Sequence, residues 1–186
     1  GYTLTVPDND NDHVTKNEIL ENVVMTLGGR AAEEIVIKDV SAGAYGDIKA
    51  VTDKVRKMIT EFGMSDVIGM INYGSSQEVF LGRDYQTQVN YSEDVAAKID
   101  AEMHKIIDEC YKRCLKILND NRPILDNMAK VLIARETIHE EEIKMLLNGS
   151  SAEEVIAFID AKYKKADAEN SSAAPANQMP IAPGMA

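Results

Sequence analysis

Residues 92–119 read SEDVAAKIDAEMHKIIDECYKRCLKILN, and this stretch sets the fold class. Val95, Ile99, Met103, Ile106, Cys110, Cys114 and Ile117 recur in steps of three and four. That period gathers them on one face of an α-helix, as a core seam. Ser92 stands where an N-cap belongs. Cys110 and Cys114 lie on the seam, so they read as two reduced, buried thiols rather than a disulfide or a four-ligand zinc set.

On the N-terminal side, Thr15 and Glu18 have the spacing of a capping box. Ile19, Leu20, Val23, Val24, Leu27, Ala31 and Ile35 follow on one helical face, and this helix is expected to run to about Ile37. Gly28 and Gly29 lie inside it, each costing about 1 kcal/mol relative to Ala. The pair implies close approach by another helix or backbone; a helix break is the alternative. Asp39–Gly46 reads as a loop of small residues, after which Asp47 opens a helix with Ile48, Val51, Val55, Met58 and Phe62 on one face. Gly63 ends that helix. Tyr2–Val6 reads as a short strand, and Ile68–Tyr73 with Glu78–Leu81 as a small hairpin.

On the C-terminal side, Arg122-Pro123 starts a helix with Leu125, Met128, Val131 and Leu132 facing inward. Thr137 with Glu140 and Ser151 with Glu154 are two further capping-box spacings. The first opens a short helix ending at Gly149, the second a helix to about Lys165. Beyond Asp167 core-forming residues are scarce, and a disordered tail is expected. The fold class is mainly α: a helical bundle-like domain with one or two short β elements. The expected division is a main domain over 1–149, an appended helix over 150–166 and a tail over 167–186.

Composition narrows the function. The chain has 186 residues, with 31 Asp and Glu against 20 Lys and Arg, for a net charge of −11. Such a surface does not suit a nucleic acid partner. Aromatics are only 5%, with no Trp and nine Met, which fits aliphatic helix packing. No apolar run approaches the roughly 18 residues of a bilayer span. Gly1–Asp12 is polar and turn-rich, and with Gly at position 1 the chain is expected to begin inside a longer protein.

Few motifs carry chemistry. The sequence has no G-x-x-x-x-G-K-[ST], G-x-G-x-x-G or G-x-S-x-G. His13, His104 and His139 are never four apart, so H-E-x-x-H is absent. His104 between Asp100 and Asp108 reads as a solvated charged face. Glu136-x-x-His139 has a di-iron spacing in a single copy, where such bundles need two. Asp47 by itself is a carboxylate favoured at a helix N-terminus, and Glu33 with Glu34 a solvated helix face.

Several segments, in one order, resemble the FtsH family of membrane-anchored AAA+ ATP-dependent zinc metalloproteases. Leu27-Gly28-Gly29-Arg30-Ala31-Ala32-Glu33-Glu34-Ile35 is similar to the family's "LGGRAAEE" helix. Val40 to Ile48, VSAGAYGDI, is similar to its "V-[ST]-[ST]-G-A-x-N-D-[LI]" loop. Thr60 to Ser65 reads TEFGMS, Val79 to Asp84 VFLGRD, and Tyr91-Ser92-Glu93 with Ile99-Asp100-Ala101-Glu102 matches "YSE…ID-x-E". Gly1-Tyr2-Thr3-Leu4 is similar to "LGYT", so the resemblance runs over about Gly1 to Leu147. Departures are Gly46 for the usual Asn, Ser41-Ala42 for a hydroxyl pair, and Ile68-Gly69-Met70-Ile71 for an "LGP" run.

The resemblance implies the C-terminal part of a zinc metallopeptidase domain whose H-E-x-x-H lies upstream. It implies Asp47 as the third zinc ligand and, less firmly, Glu33 hydrogen-bonding a ligating imidazole. It gives Gly28 and Gly29 a reason, packing against the metal-binding helix. It further implies ATP in a separate ATPase module, unfolded and membrane proteins as substrates, and a homo-hexamer. The parent would sit at the cell membrane with its peptidase domain on the cytoplasmic side, touching the membrane only through N-terminal segments, the stretch in hand being soluble. Without H-E-x-x-H the isolated chain is expected to be inactive. The alternative is a non-catalytic helical interaction module on a peptidase-derived scaffold.

Overall fold

The structure, a computed structural model, describes residues 14–74 and 91–172, the side chains of 165–172 excepted. The chain divides into two compact units, Gly1–Asp120 and Asn121–Ala186. Among the described residues every regular element is helical.

The first unit holds α1 (Lys16–Thr26), α2 (Gly28–Ile37), a 3-10 turn (Ala42–Ala44), α3 (Tyr45–Thr60) and α4 (Glu93–Asp120). Helix α4 packs against the other three helices. Its seam is buried as the periodicity predicts: Ile99, Met103, Ile106, Cys110 and Cys114 join Ile19, Val23, Val51, Val55, Met58 and Ile59 in one core. Ile117, at the end of the stripe, is exposed instead, because the last turns of α4 meet the core through Leu115 and Leu118.

The Thr15 capping box forms: the Glu18 N–H donates to Thr15 Oγ1 at 3.2 Å, and the Thr15 N–H to Glu18 Oε2 at 2.7 Å. The single long helix expected to Ile37 is two. Leu27 breaks it (φ −75°, ψ −7°), although its N–H still donates to the Val23 carbonyl and its own carbonyl accepts from Ala31. The break adjoins the two glycines, whose low helix propensity lowers the cost of interruption. Lys38, at φ 59°, then ends α2 in the left-handed region.

Three further expectations give way in this unit. Helix α3 starts at Tyr45, so Gly46 belongs to its first turn rather than to the loop. Ile48 and Phe62 are exposed, since the buried face is Val51, Val55, Met58 and Ile59, and α3 stops before Phe62. Ile68–Tyr73 forms no strand among the described residues. Its backbone closes onto the end of α3: Gly69 N–H donates to the Ser65 carbonyl at 2.9 Å and Tyr73 N–H to the Thr60 carbonyl at 2.7 Å. Gly63 (φ 61°) lets this reversal happen, for a Cβ there would meet the Met70 Cα at 3.2 Å. Tyr2–Val6 and Glu78–Leu81 lie outside the described residues.

The second unit holds α5 (Arg122–Arg135), α6 (Glu140–Leu147) and α7 (Ala152–Ser172) around Val131, Leu146, Ala152, Val155 and Ile159. Pro123 occupies the first turn of α5 as expected; Leu132 is exposed and Val131 alone fully buried on that face. The Thr137 box does not form. His139 is the N-cap of α6, its N–H donating to Glu142 Oε2 at 2.7 Å, because Glu142 is the acid that reaches back. Glu136, at φ 61°, caps α5, so Glu136 and His139 flank a loop and share no helix face. The Ser151–Glu154 box is present, and α7 runs past Lys165 to Ser172. Ala166, Ala168 and Glu169 are strong helix formers, which accounts for the extension.

Candidate functional site

Of the residues singled out in the sequence, Gly29 of α2 and Asp47 at the start of α3 lie side by side, whereas Gly28 and Glu33 face other neighbours. Asp47 stands in the first turn of α3, where free N–H groups and the helix dipole favour a carboxylate. Its side chain leans over Gly29: a Cβ built on Gly29 would lie 3.9 Å from Asp47 Oδ2, in ordinary contact. The glycine therefore leaves the carboxylate an open floor. Gly28 meets no atom within 4 Å of a built Cβ, so the close approach expected of it is not made by any described residue. It borders instead a cavity of about 380 Å³ shared with Val24, Cys114 and Leu118.

Glu33, one helical turn beyond Gly29, is engaged elsewhere than on Asp47. Ser41 Oγ donates to Glu33 Oε1 at 2.6 Å, and the Ser41 N–H donates to Glu33 Oε2 at 3.2 Å. These bonds, the hydroxyl's first, hold the Glu33 carboxyl below the usual glutamate range; the Arg30 charge adds to the effect. Ser41 Oγ in turn accepts from the Gly43 N–H at 3.1 Å and so caps the 3-10 turn that leads into α3. Ser41 escaped the sequence reading as a partner of Glu33. An eight-residue separation across a loop leaves no periodic signal.

Two other tethers frame the site. Tyr111 of α4 donates from its hydroxyl to Glu34 Oε2 at 2.5 Å, fixing α2 to α4. Burial, then the Glu34 bond and charge, push the Tyr111 hydroxyl up to about 12. The half-buried Arg30 has a Nη1 that is shielded from solvent and meets no hydrogen-bond acceptor among the described residues. Below α3, Ser65 is a buried hydroxyl joined to buried Glu102 of α4.

Catalytic zinc takes three protein ligands, typically His with a carboxylate. Asp47 fits as one oxygen ligand, exposed and unencumbered by the bare Gly29 backbone. No three His, Cys, Asp or Glu side chains gather as a metal site among the described residues. His104 is exposed on α4, on the solvated face expected for it. Cys110 and Cys114 are free and buried, and burial pushes both thiols up, away from the thiolate a metal would need. No described helix is long and apolar enough to cross a membrane.

Comparison with known proteins gives one consistent answer. The model of Peptidase family M41 matches residues 1–146. The chain is similar to ATP-dependent zinc metalloprotease FtsH 1 of Thermoanaerobacter sp. (strain X514), 45% identical over 156 residues, covering 83% of this chain and 26% of that protein. It is similar to ATP-dependent zinc metalloprotease FtsH of Bacillus subtilis (strain 168), 45% identical over 150 residues, 80% of this chain and 24% of that protein. The protein of the same description from Thermotoga maritima is 44% identical over 149 residues, 80% of this chain and 24% of its own length. The chain thus spans about a quarter of the length of these curated relatives.

Proposed function

The chain belongs to peptidase family M41, and from that premise we propose that it is part of the peptidase domain of an ATP-dependent zinc metalloendopeptidase, to which it contributes Asp47 as the carboxylate ligand. The observation that carries this reading is the Asp47 carboxylate held at the start of α3 over the bare backbone of Gly29. Residues 1–149 are assigned to the peptidase domain, with 150–166 appended to it.

Zinc, when bound in such a domain, polarises a scissile carbonyl and acidifies a water. The chain's own part is to present one anionic oxygen in a fixed direction. Its place in the first turn of α3 sets the direction of that carboxylate, and Gly29 adds no side chain beside it. Glu33 is available through its remaining lone pairs to a histidine ligand, with Ser41 holding its orientation. ATP, protein substrates, hexameric assembly and membrane anchorage belong to the proposed parent, as its relatives' description as ATP-dependent proteases supports for the first two.

The test is zinc stoichiometry and casein cleavage in a protein that joins this chain to an upstream H-E-x-x-H segment. One zinc per chain with cleavage, both lost in Asp47→Asn, is the expected result. Full zinc occupancy in Asp47→Asn would overturn the ligand assignment. The 186-residue chain alone is expected to leave casein intact; zinc-dependent cleavage by it would overturn that expectation, and absence of cleavage by the joined protein would favour a non-catalytic interaction module.

A further inference from the structure

We infer that Glu33 is a positioning residue for Asp47: by clasping Ser41 it fixes the turn from which α3, and with it the Asp47 carboxylate, projects. The inference rests on the reading of Asp47 as the site carboxylate.

A chain of contacts running from α4 to α3 carries it. Glu33 stands on α2, which is anchored in the core through Ala31 and tied to α4 through Glu34 and Tyr111. Both its carboxylate oxygens take hydrogen bonds from Ser41, one from the hydroxyl at 2.6 Å and one from the backbone N–H at 3.2 Å. The same hydroxyl accepts from the Gly43 N–H at 3.1 Å. The turn it caps, Ala42–Ala44, is closed by the Tyr45 N–H on the Ala42 carbonyl, and α3 begins there with Asp47 as its third residue. A Cβ on Gly43 would sit 3.1 Å from Ser41 Oγ, so any larger residue there presses on the hydroxyl that makes the clasp.

A two-point clasp differs from a single surface hydrogen bond. It sets the direction of the Ser41 peptide as well as the place of its side chain, so the loop enters α3 at one angle. The carboxylate form is needed, since both oxygens act as acceptors. Arg30 favours that form, and Asp39 opposes it. A reach of about an ångström in a ligand's position matters to a metal site far more than to overall stability.

The experiment uses the whole 186-residue chain, labelled for NMR, without metal. Amide exchange at Ser41, Gly43 and Tyr45 and the carboxyl carbon shift of Asp47 are compared in wild type, Glu33→Ala, Ser41→Ala, the double variant and Ser41→Thr. Each single variant is expected to speed exchange at the three amides about tenfold and to move the Asp47 resonance. The double variant should do no more than either alone, and Ser41→Thr should restore the wild-type pattern. An Asp47 resonance unmoved in both single variants overturns the inference, and so do additive effects in the double variant. Should Glu33→Ala also release the core amides of Val23 and Ile99, Ser41→Ala decides, its side chain being exposed and outside the core. These readings need no zinc, so their failure is distinct from a failure of Asp47→Asn to lose the metal.

Discussion

The Ser65 hydroxyl, buried on the loop after α3, donates to Glu102 Oε1 of α4 at 3.2 Å, and both side chains are almost fully shielded, at 3% and 9% exposure. Ser65 also accepts from the N–H groups of Val67 and Ile68, at 3.2 and 3.3 Å. One small hydroxyl thus serves a turn and a buried acid together. Ser65→Ala leaves the acid and two N–H groups short of a partner. The expected cost is about 1–3 kcal/mol, the penalty for unsatisfied buried polar groups. Urea unfolding followed by circular dichroism measures it, and a cost near zero would show that water replaces the hydroxyl.

Tyr111 gives a prediction at high pH. Its hydroxyl is pushed up to about 12 from the ordinary tyrosine value of 10.0, by burial first and by Glu34 second. The folded state therefore holds this proton more tightly than the unfolded chain. Stability from this group is complete below pH 10 and is lost as pH rises from 10 towards 12. Urea midpoints of the wild type should fall over that range more steeply than those of Tyr111→Phe, which has no proton to lose. Parallel slopes for the two proteins would show that neither the burial of the Tyr111 hydroxyl nor its bond to Glu34 is maintained in solution.

Much of this architecture could be read from the residues alone, for a physical reason. Periodicity reports burial on a long helix, so the Ile99 to Cys114 seam emerged directly. The Thr15 and Ser151 boxes are local, with spacing and chemistry enough to recognise them. The Thr137 box had the same spacing and failed, because Glu142 supplies a rival acid two residues later and His139 becomes the cap. Ile68–Tyr73 has strand-like residues, yet its backbone is bound to the end of α3, a tertiary choice that alternation does not encode. At the site, Gly29 stands out as a glycine within a helical pattern and Asp47 as an acid at a helix start, with a zinc role implied only by the family likeness; the two are near one another, whereas the Glu33 to Ser41 clasp joins a helix to a loop without any repeating pattern.

Gly29 separates stability from function. Among the described residues a Cβ there meets only Asp47 Oδ2, at 3.9 Å, so alanine fits beside it. Gly29→Ala also removes the backbone entropy that glycine loses in a helix. The expected gain is about 0.5–1 kcal/mol, visible as a melting temperature raised by a few degrees. The same methyl narrows the open floor under the Asp47 carboxylate. A lowered melting temperature would mean that the described space beside Gly29 is occupied in solution.

The cysteines supply a last test of the core. Cys110 and Cys114 are 6% and 4% exposed, with no disulfide, and burial raises both thiols above their ordinary range. Reaction with a disulfide reagent needs a thiolate and access, and the folded chain offers neither. At neutral pH the native protein should react slowly, at a rate set by opening of the α1–α4 packing, while the urea-unfolded chain should release both thiols at once. Ile99→Ala, which removes a fully buried side chain from the same seam, should cost about 2–5 kcal/mol and speed thiol reaction in proportion. If instead one thiol of the wild type reacts as fast as a free cysteine, the cavity bordered by Gly28 and Cys114 admits the reagent, and the seam is open at that end.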